Sequence, residues 1–259
     1  MDLGIEGRRA IVCASSRGLG RGCALALARA GVDLVLNGRD AERLTATAEE
    51  IRRAAGVKVT AVAADISSPN GQAAVLEACP DPDILVNNNG GPPFRDFREL
   101  DREAMLTGVT MNMVTPIELI QKVIGPMQRR QFGRIVNITS VSVKMAIAGL
   151  DLSSGARAGL TAFLAGVART VAKDNVTINS ILPGFIDTDR MRAGISATAK
   201  AQGKAEADFA AERAAVVPAR RFGTPEEFGE ACAFLCSAQA GYITGQNLLI
   251  DGGLFNGAF

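Results

Sequence analysis

Short apolar, β-branched runs alternate along the chain with longer stretches of helical periodicity. The apolar runs lie at 9–15, 33–39, 57–65, 83–90, 133–140, 176–184 and 247–253. Helical patterns lie between them, notably at 40–55, 101–131, 154–172 and 225–237. Strands separated by helices pair in parallel through right-handed crossovers, which place helices on both faces of the sheet. The pattern therefore predicts an α/β fold with a doubly wound, seven-stranded parallel sheet.

No change of composition and no linker rich in glycine, serine or proline divides the chain, which predicts one domain over residues 1–259. The irregular stretch at 187–217 is polar, rich in alanine and helix-prone. An insertion beyond the carboxyl end of a strand can cover the ligand crevice of such a sheet. We interpret 187–217 as a helical substrate lid, with a solvated pair of surface helices as the alternative.

Charge and composition narrow the partners and the compartment. The chain has 28 basic and 27 acidic residues, so nothing favours nucleic acid or an anionic membrane as a partner. The N-terminal segment carries acidic residues, and no apolar run approaches the roughly 20 residues of a membrane span. Five cysteines and no histidine indicate reduced, buried thiols and no metal site. We expect a cytoplasmic protein that acts on a small molecule.

A glycine-rich turn follows the first strand and leads directly into a helix. It reads Ala14-Ser15-Ser16-Arg17-Gly18-Leu19-Gly20. Such a turn lets backbone N–H groups and a helix N-terminus face a pyrophosphate. Taken alone it also fits an ordinary strand–helix turn, but Asp65 ends the third strand and 87–90 reads Asn-Asn-Asn-Gly after the fourth. Ligands bind outside these strand ends, so the sequence predicts a dinucleotide site.

With these motifs the chain resembles the short-chain dehydrogenase/reductase family over essentially its whole length. Within the family it resembles the 3-oxoacyl-[acyl-carrier-protein] reductase-like members. Residues 13–20 resemble the family's TGxxxGxG, with Ala14 in place of the first glycine, and 87–90 resemble its NNAG, with Asn89 in place of alanine. Residues 183–188 resemble PGxxxT, and 243–246 with 251–253 resemble the closing ITGQ and DGG.

The resemblance implies a Rossmann fold and assigns residues to the dinucleotide. In the family, the position of Asp65 contacts adenine and that of Thr188 meets the nicotinamide amide. The positions assigned to the cofactor are Ser15, Ser16, Arg17, Gly18, Leu19, Gly20, Asn37, Arg39, Asp65, Ile66, Asn88, Asn89, Gly90, Pro183, Gly184, Ile186 and Thr188.

Charge at the end of the second strand bears on the choice of cofactor. An acidic residue there would bind the adenosine ribose and repel a 2′-phosphate. Here the strand ends at Arg39, no carboxylate occurs before Asp40, and Arg17 precedes Gly18. Two guanidinium groups can clamp a phosphate, although two exposed surface arginines are the alternative. The sequence favours NADP(H) over NAD(H).

In this family a serine orients the substrate oxygen and a tyrosine transfers its proton. A lysine lowers the tyrosine pKa and holds the nicotinamide ribose. The resemblance assigns the serine position to Ser140 and the asparagine of the fourth helix to Asn112. The alternative for Ser140 is a simple turn serine.

The tyrosine and lysine are absent from their expected positions. Residues 157–160 read Arg-Ala-Gly-Leu and resemble the family's KAGL, which puts Ser153 at the tyrosine position and Arg157 at the lysine position. The only tyrosine is Tyr242, near the last strand. Arg157 can still bind ribose hydroxyls but stays charged, and Ser153 reaches a substrate oxygen only through water. Lys144 is a candidate replacement acid, with a solvated loop lysine as the alternative.

Three functions stay open. The intact serine and cofactor motifs favour an NADP(H)-dependent oxidoreductase that interconverts a carbonyl and a secondary alcohol by an altered proton-transfer route. Ser153 and Arg157 favour a catalytically silent dinucleotide-binding protein, and a non-redox enzyme such as a lyase is the third. The resemblance also implies a homodimer or homotetramer, assembled through the helices near 101–131 and 154–172 and the last strand.

Overall fold

The computed structural model describes residues 2–92 and 94–258. Seven parallel strands form one sheet in the order β3-β2-β1-β4-β5-β6-β7, which confirms the predicted fold class. The strands are β1 Arg9–Val12, β2 Asp33–Gly38, β3 Val59–Ala63, β4 Ile84–Asn87, β5 Gly133–Ile138, β6 Val176–Pro183 and β7 Asn247–Ile250.

Helices cover both faces of the sheet, and each face has its own apolar core. They are α1 Gly18–Arg29, α2 Ala41–Ala55, α3 Pro69–Ala78, α4 Arg102–Val109, α5 Thr115–Arg129, α6 Asp151–Val171, α7 Asp189–Ala201, α8 Glu206–Val216 and α9 Pro225–Cys236. The stretch predicted as one helix at 101–131 is two helices, joined by a π-helical turn at Thr110–Val114. Helix α6 begins earlier than its predicted start at 154, so Ser153 lies on the helix.

The strand order reverses between β1 and β4, which pair directly with each other. Their carboxyl ends are Val12 and Asn87. In an open α/β sheet a crevice forms at this point, because the crossovers on its two sides run in opposite directions. The glycine-rich turn and the asparagine run therefore lie on either side of one crevice.

Helices α1 and α9 touch backbone to backbone. A Cβ atom on Gly22 would collide with the carbonyl oxygen of Pro225, and one on Gly229 would collide with the carbonyl oxygen of Gly22. Only glycine permits this approach at both positions. Helix α9 begins at Pro225, shortly after the 187–217 stretch. The contact therefore holds the chain that follows this stretch against α1, the helix that begins at the crevice.

Candidate functional site

The glycine-rich turn is compressed against the start of α1. Ala14 and Gly18 both have positive φ, at 44° and 55°. A Cβ atom on Gly20 would collide with the carbonyl oxygen of Ala14, so only glycine fits at position 20. Ala14 occupies a backbone region that strongly favours glycine, and the strain at this turn is the cost of the alanine substitution.

The N-terminus of α1 differs from those of its neighbours. Helices α2, α3 and α9 begin with side-chain caps from Asp40, Ser68 and Thr224. The residue before α1 is Arg17, whose side chain makes no capping hydrogen bond. The first N–H groups of a helix need partners and carry a partial positive charge. The uncapped end of α1 at the crevice therefore fits the phosphate groups of a dinucleotide.

Several predicted cofactor residues hold the turn in place. The Ser15 N–H donates to the Asn37 carbonyl at 2.7 Å. The side-chain amide of Asn37 donates to the carbonyls of Val62 and Ala64, at 3.2 and 3.0 Å. The Asn88 amide donates to the Ala14 carbonyl at 3.1 Å. These groups set the shape of the crevice, because their hydrogen bonds are already made within the chain.

The rim near β2 is cationic. Arg17 and Arg39 are exposed, whereas the nearby Asp40 carboxylate caps α2 by accepting from the Arg43 N–H at 3.0 Å. Asp189 of α7 lies between two of these cations, 3.6 Å from Arg17 and 3.5 Å from Arg43. The rim thus presents guanidinium groups, and among the described residues the acidic residue that bridges Arg17 and Arg43 comes from the 187–217 stretch.

The crevice walls come from elements far apart in sequence. The Asn89 amide donates to Ser67 Oγ at 2.8 Å and to the Met111 carbonyl at 3.2 Å, joining the loop after β3 to the π-helical turn. An alanine at this position would form neither bond. Thr188 caps α7 and lies over Gly18, where a Cβ atom would be 3.5 Å from its methyl group.

The remaining cofactor candidates vary in exposure. Asp65 and Gly90 are exposed, Ile66 and Ile186 are buried, and the others are partly buried: Ser16, Leu19, Pro183 and Gly184. All follow the carboxyl ends of β1, β3, β4 or β6, so the structure groups these predicted residues at one edge of the sheet.

Ser153 and Arg157 form a buried pair one turn apart on α6. The Arg157 Nε–H donates to Ser153 Oγ at 3.2 Å, and its Nη1 donates to the carbonyl of Ile138 at 2.8 Å, at the carboxyl end of β5. Burial lowers the Arg157 pKa to about 10, and the charge of Arg190 contributes in the same direction. The guanidinium nevertheless stays charged at neutral pH.

Ser140 and Asn112 lie on the same side of the crevice. Ser140 Oγ accepts from the Ser142 N–H at 3.1 Å, which leaves the hydroxyl proton for another partner. The buried Asn112 amide donates to the Gly108 carbonyl at 3.1 Å, and its Oδ1 has no partner in the described part of the chain. A narrow cleft that is open to solvent lies beside Asn112; its polar lining is Asn87, Asn88, Asn89, Asn112, Thr115, Asn137 and Arg157.

Lys144 lies apart from this buried group. It ends the 3-10 turn Val141–Val143 and is exposed, with its ammonium 5.6 Å from the ring centroid of Phe255. A catalytic ammonium would need desolvation to transfer a proton near neutral pH. The exposure favours the alternative of a solvated lysine, and the catalytic role stays a prediction.

The cysteines are free and buried. Burial raises the pKa of the Cys13 thiol, under the glycine-rich turn, to about 12. Within residues 2–92 and 94–258, no group of three or more His, Cys, Asp or Glu side chains is arranged to hold a metal ion. Across the same residues, no helix has the length and apolar character needed to cross a membrane.

Sequence reasoning missed one residue of the crevice. Arg190 lies in the first turn of α7, and its Nη2 donates to the carbonyl of Pro92 at 3.1 Å. A Cβ atom on Gly91 would lie 2.9 Å from Arg190 Nη1 and 3.5 Å from Arg157 Nη2. The two guanidinium groups therefore meet over Gly91. The one sequence signal for Arg190 is its place two residues after Thr188 at the start of the predicted lid.

Known proteins match this chain along nearly its full length. The family described as enoyl-(acyl carrier protein) reductase matches residues 13–255. The 3-oxoacyl-[acyl-carrier-protein] reductase FabG of Aquifex aeolicus is 35% identical, covering 98% of this chain and 100% of that protein. The NADPH-dependent reductase BacG of Bacillus subtilis is 31% identical, covering 95% of this chain and 97% of its own length.

A solved structure gives the same result in three dimensions. L-sorbose reductase from Gluconobacter frateurii, complexed with NADPH and L-sorbose, superposes with a TM-score of 0.94 at 30% identity and covers 99% of this chain and 100% of its own. The similarity therefore covers nearly the whole chain. Sequence, fold and the geometry of the glycine-rich turn therefore agree that this protein is an oxidoreductase of the short-chain dehydrogenase/reductase family.

Proposed function

We propose that this enzyme uses NADP(H) to interconvert a small-molecule carbonyl and a secondary alcohol, with Ser153 and Arg157 in the proton-transfer role. The observation that carries the proposal is the buried hydrogen bond from Arg157 Nε to Ser153 Oγ at 3.2 Å. A structural serine on α6 has no need of a buried guanidinium beside it. The pair lies beside Ile138, two residues before Ser140, at the end of the crevice away from the cationic rim.

The cofactor assignment rests on charge and on shape. The uncapped start of α1 and the Gly20 approach fit a pyrophosphate, and exposed Arg17 and Arg39 fit a 2′-phosphate at the rim. The BacG and L-sorbose reductase relatives are both named for or solved with NADPH. The bound nicotinamide supplies the hydride, and the protein supplies binding, orientation and the proton.

The hydroxyl oxygens of Ser140 and Ser153 each accept one hydrogen bond. Ser140 Oγ accepts from the Ser142 N–H, and Ser153 Oγ accepts from Arg157. Each hydroxyl therefore keeps its own proton for a substrate oxygen or for a bridging water. A positive donor at Ser153 Oγ stabilises negative charge on that oxygen, which makes the hydroxyl a better proton donor. In reduction, Ser153 gives its proton to a bridging water, which protonates the developing alkoxide, and Ser153 regains a proton from the solvent.

The test is oxidation of NADPH by a panel of uncharged ketones and oxo acids, with wild type and two variants. Ser153→Ala should lower turnover without weakening NADPH binding. The double variant Ser153→Tyr with Arg157→Lys should reduce ketones by the family's usual route. Tight NADPH binding with no turnover of any carbonyl by wild type, together with activity of the double variant, would contradict the proposal. It would identify a catalytically silent dinucleotide-binding protein.

We also infer that residues 1–259 form one domain in which 187–217 acts as a lid. Helices α7 and α8 account for most of that stretch. Thr188 lies over Gly18, and Asp189 reaches Arg17 and Arg43 on the far rim. These contacts across the crevice support the assignment of this stretch as a substrate lid. Limited proteolysis within 202–205 should slow when NADPH and a substrate are added together.

Assembly as a homodimer or homotetramer is supported by exposed apolar side chains. Leu106 of α4, Val114 of the π-helical turn, Phe163 of α6 and Leu248 of β7 are all exposed. They lie on the elements through which the family resemblance implies assembly, and burying them in an interface would be favourable. Light scattering after size exclusion should give a mass of at least twice 27.0 kDa.

A further inference from the structure

The pair of guanidinium groups over Gly91 leaves two nitrogens without partners. Arg157 uses Nε for Ser153 and Nη1 for Ile138, and Arg190 uses Nη2 for Pro92. Arg157 Nη2 and Arg190 Nη1 make no hydrogen bond within the described residues, and these same nitrogens approach the position above Gly91. Donor groups from two guanidiniums therefore converge on one point of the crevice.

The described part of the chain neutralises neither cation. Within residues 2–92 and 94–258, no carboxylate lies within 4.0 Å of Arg157 or Arg190. Other arginines in the same stretch do have acidic partners: Arg17 and Arg43 pair with Asp189, and Arg192 pairs with Asp187. Two like charges brought together near a buried position repel each other, and the cost is recovered when an anion binds between them.

We propose that Arg157 and Arg190 form a carboxylate-binding site, and that the substrate of the reaction is an organic acid, such as an oxo acid and its hydroxy acid. This rests on the proposed reductase function. Two guanidinium groups with free N–H donors suit the planar, two-oxygen carboxylate. Because Arg157 also holds Ser153, the carboxylate is held beside the hydroxyl that transfers the proton.

The phosphate groups of the cofactor fit a different part of the crevice. The uncapped N-terminus of α1 follows β1, and the rim arginines Arg17 and Arg39 flank β2. Arg157 meets the end of β5, which is separated from β1 by β4. The pair over Gly91 therefore lies on the reaction side of the crevice. Arg190 also belongs to α7, so a carboxylate bound to it ties the proposed lid to the substrate.

The test compares two probes of nearly equal shape, phenylacetate and phenylacetamide, titrated into the intact protein saturated with NADPH. We expect phenylacetate to bind at least about tenfold more tightly, because a hydrogen bond to a charged group is worth about a factor of ten or more. Arg190→Met should remove this preference, and Arg190→Lys should restore part of it. The control is Arg192→Met on the same helix, which should keep the full preference.

The outcomes separate the two proposals. If uncharged ketones are reduced but phenylacetate binds no better than the amide, the carboxylate site is wrong and the reductase function stands. If phenylacetate is preferred and Arg190→Met removes the preference, but no carbonyl is turned over, the site stands and the reductase function fails. If Arg190→Met weakens NADPH binding as much as phenylacetate binding, the pair binds a cofactor phosphate, which overturns the proposal.

Discussion

A buried guanidinium lies at each end of β5, and the two ends use it differently. At the amino end, Arg134 donates to the carbonyls of Ser237, Gly133 and Asn175 and to the Asn175 side chain. At the carboxyl end, Arg157 donates to Ser153 and to the Ile138 carbonyl, and its Nη2 makes no hydrogen bond within residues 2–92 and 94–258. Burial is the main reason that the pKa of each arginine is lowered.

We use the difference to separate a structural arginine from the proposed functional arginine of the same fold. Burial and a lowered pKa are common to both, so neither property identifies a site. What differs is whether the chain itself satisfies the donors, since a buried donor left without a partner is costly. At the amino edge of the sheet the described residues accept hydrogen bonds from all three guanidinium nitrogens of Arg134, and at the carboxyl edge they leave Arg157 Nη2 without a partner.

The largest expected effect is on stability. Arg134→Met should lower the free energy of unfolding by about 3 kcal/mol or more, because several buried carbonyls lose their donors. Arg157→Met should change it by no more than about 1 kcal/mol, since the lost hydrogen bonds are offset by removal of a desolvated charge. Urea unfolding monitored by circular dichroism measures both. Equal losses in the two variants would refute the distinction between the two ends.

The next effect is on turnover. Ser153→Ala should lower kcat by about 100-fold, because loss of a general acid typically costs 10²–10⁴ in rate. The neighbouring Ser154→Ala is the matched control, since its hydroxyl donates to the Leu150 carbonyl within α6 at 2.9 Å. Steady-state oxidation of NADPH measures both variants. Similar rates for the two alanine variants would remove Ser153 from the proton route.

A smaller effect concerns cofactor choice at the same edge of the sheet. Arg39→Ala should weaken NADPH binding by about tenfold and leave NADH binding unchanged, because one charge-assisted contact to the 2′-phosphate is lost. Arg53→Ala, an exposed arginine at the far end of α2, serves as the control. Titrations of wild type and both variants with NADPH and NADH, following nicotinamide fluorescence, give the dissociation constants. A matching loss for NADH would assign Arg39 to a role other than phosphate recognition.

The smallest expected effect is on the unfolding free energy of two variants at positions with positive φ. Ala14 lies at the carboxyl edge of the sheet, and Asn175 lies at the amino edge. Ala14→Gly should raise the unfolding free energy by about 0.5–1 kcal/mol, because glycine adopts positive φ without a steric cost. Asn175, with φ 54°, tolerates this region better and bonds Arg134 and Gln131 through its side chain. Asn175→Gly should therefore destabilise. Thermal unfolding of both variants gives the signs, and a lower melting temperature for Ala14→Gly would refute the strain argument.

The fold follows from the sequence because buried parallel strands read as continuous apolar runs. The run at 133–140 predicted β5, and the strand itself is Gly133–Ile138, since the chain turns away before Ser140. The π-helical turn at Thr110–Val114 was not predicted, because a single widened turn leaves the helical pattern of apolar residues almost unchanged. Element type was therefore accessible, and local irregularity was not.

The candidate site likewise has a part that the sequence predicts and a part that it does not. The glycine-rich turn was predictable because its requirements are local: a tight turn, a close backbone approach and a helix start within seven residues, 14–20. The meeting of Arg157 with Arg190 over Gly91 depends on three segments that only the tertiary fold brings together. No spacing rule relates them. The exposure of Lys144 was hidden for the same reason, because burial of a loop residue is decided by what packs over it.

The backbone contact between α1 and α9 bears on how this scaffold can diversify in evolution. Gly22 and Gly229 lock the two helices together, and a Cβ atom on Gly184 would lie 2.7 Å from the Asp251 side chain. The segment between Gly184 and Pro225 is thus anchored at both ends on parts of the chain that shape the crevice. Thr188 lies over Gly18 and Asp189 pairs with Arg17, so the start of this segment belongs to the cofactor side of the crevice. Mutations beyond Asp189 are therefore expected to change which carbonyl compound is accepted while the phosphate-binding turn keeps its form.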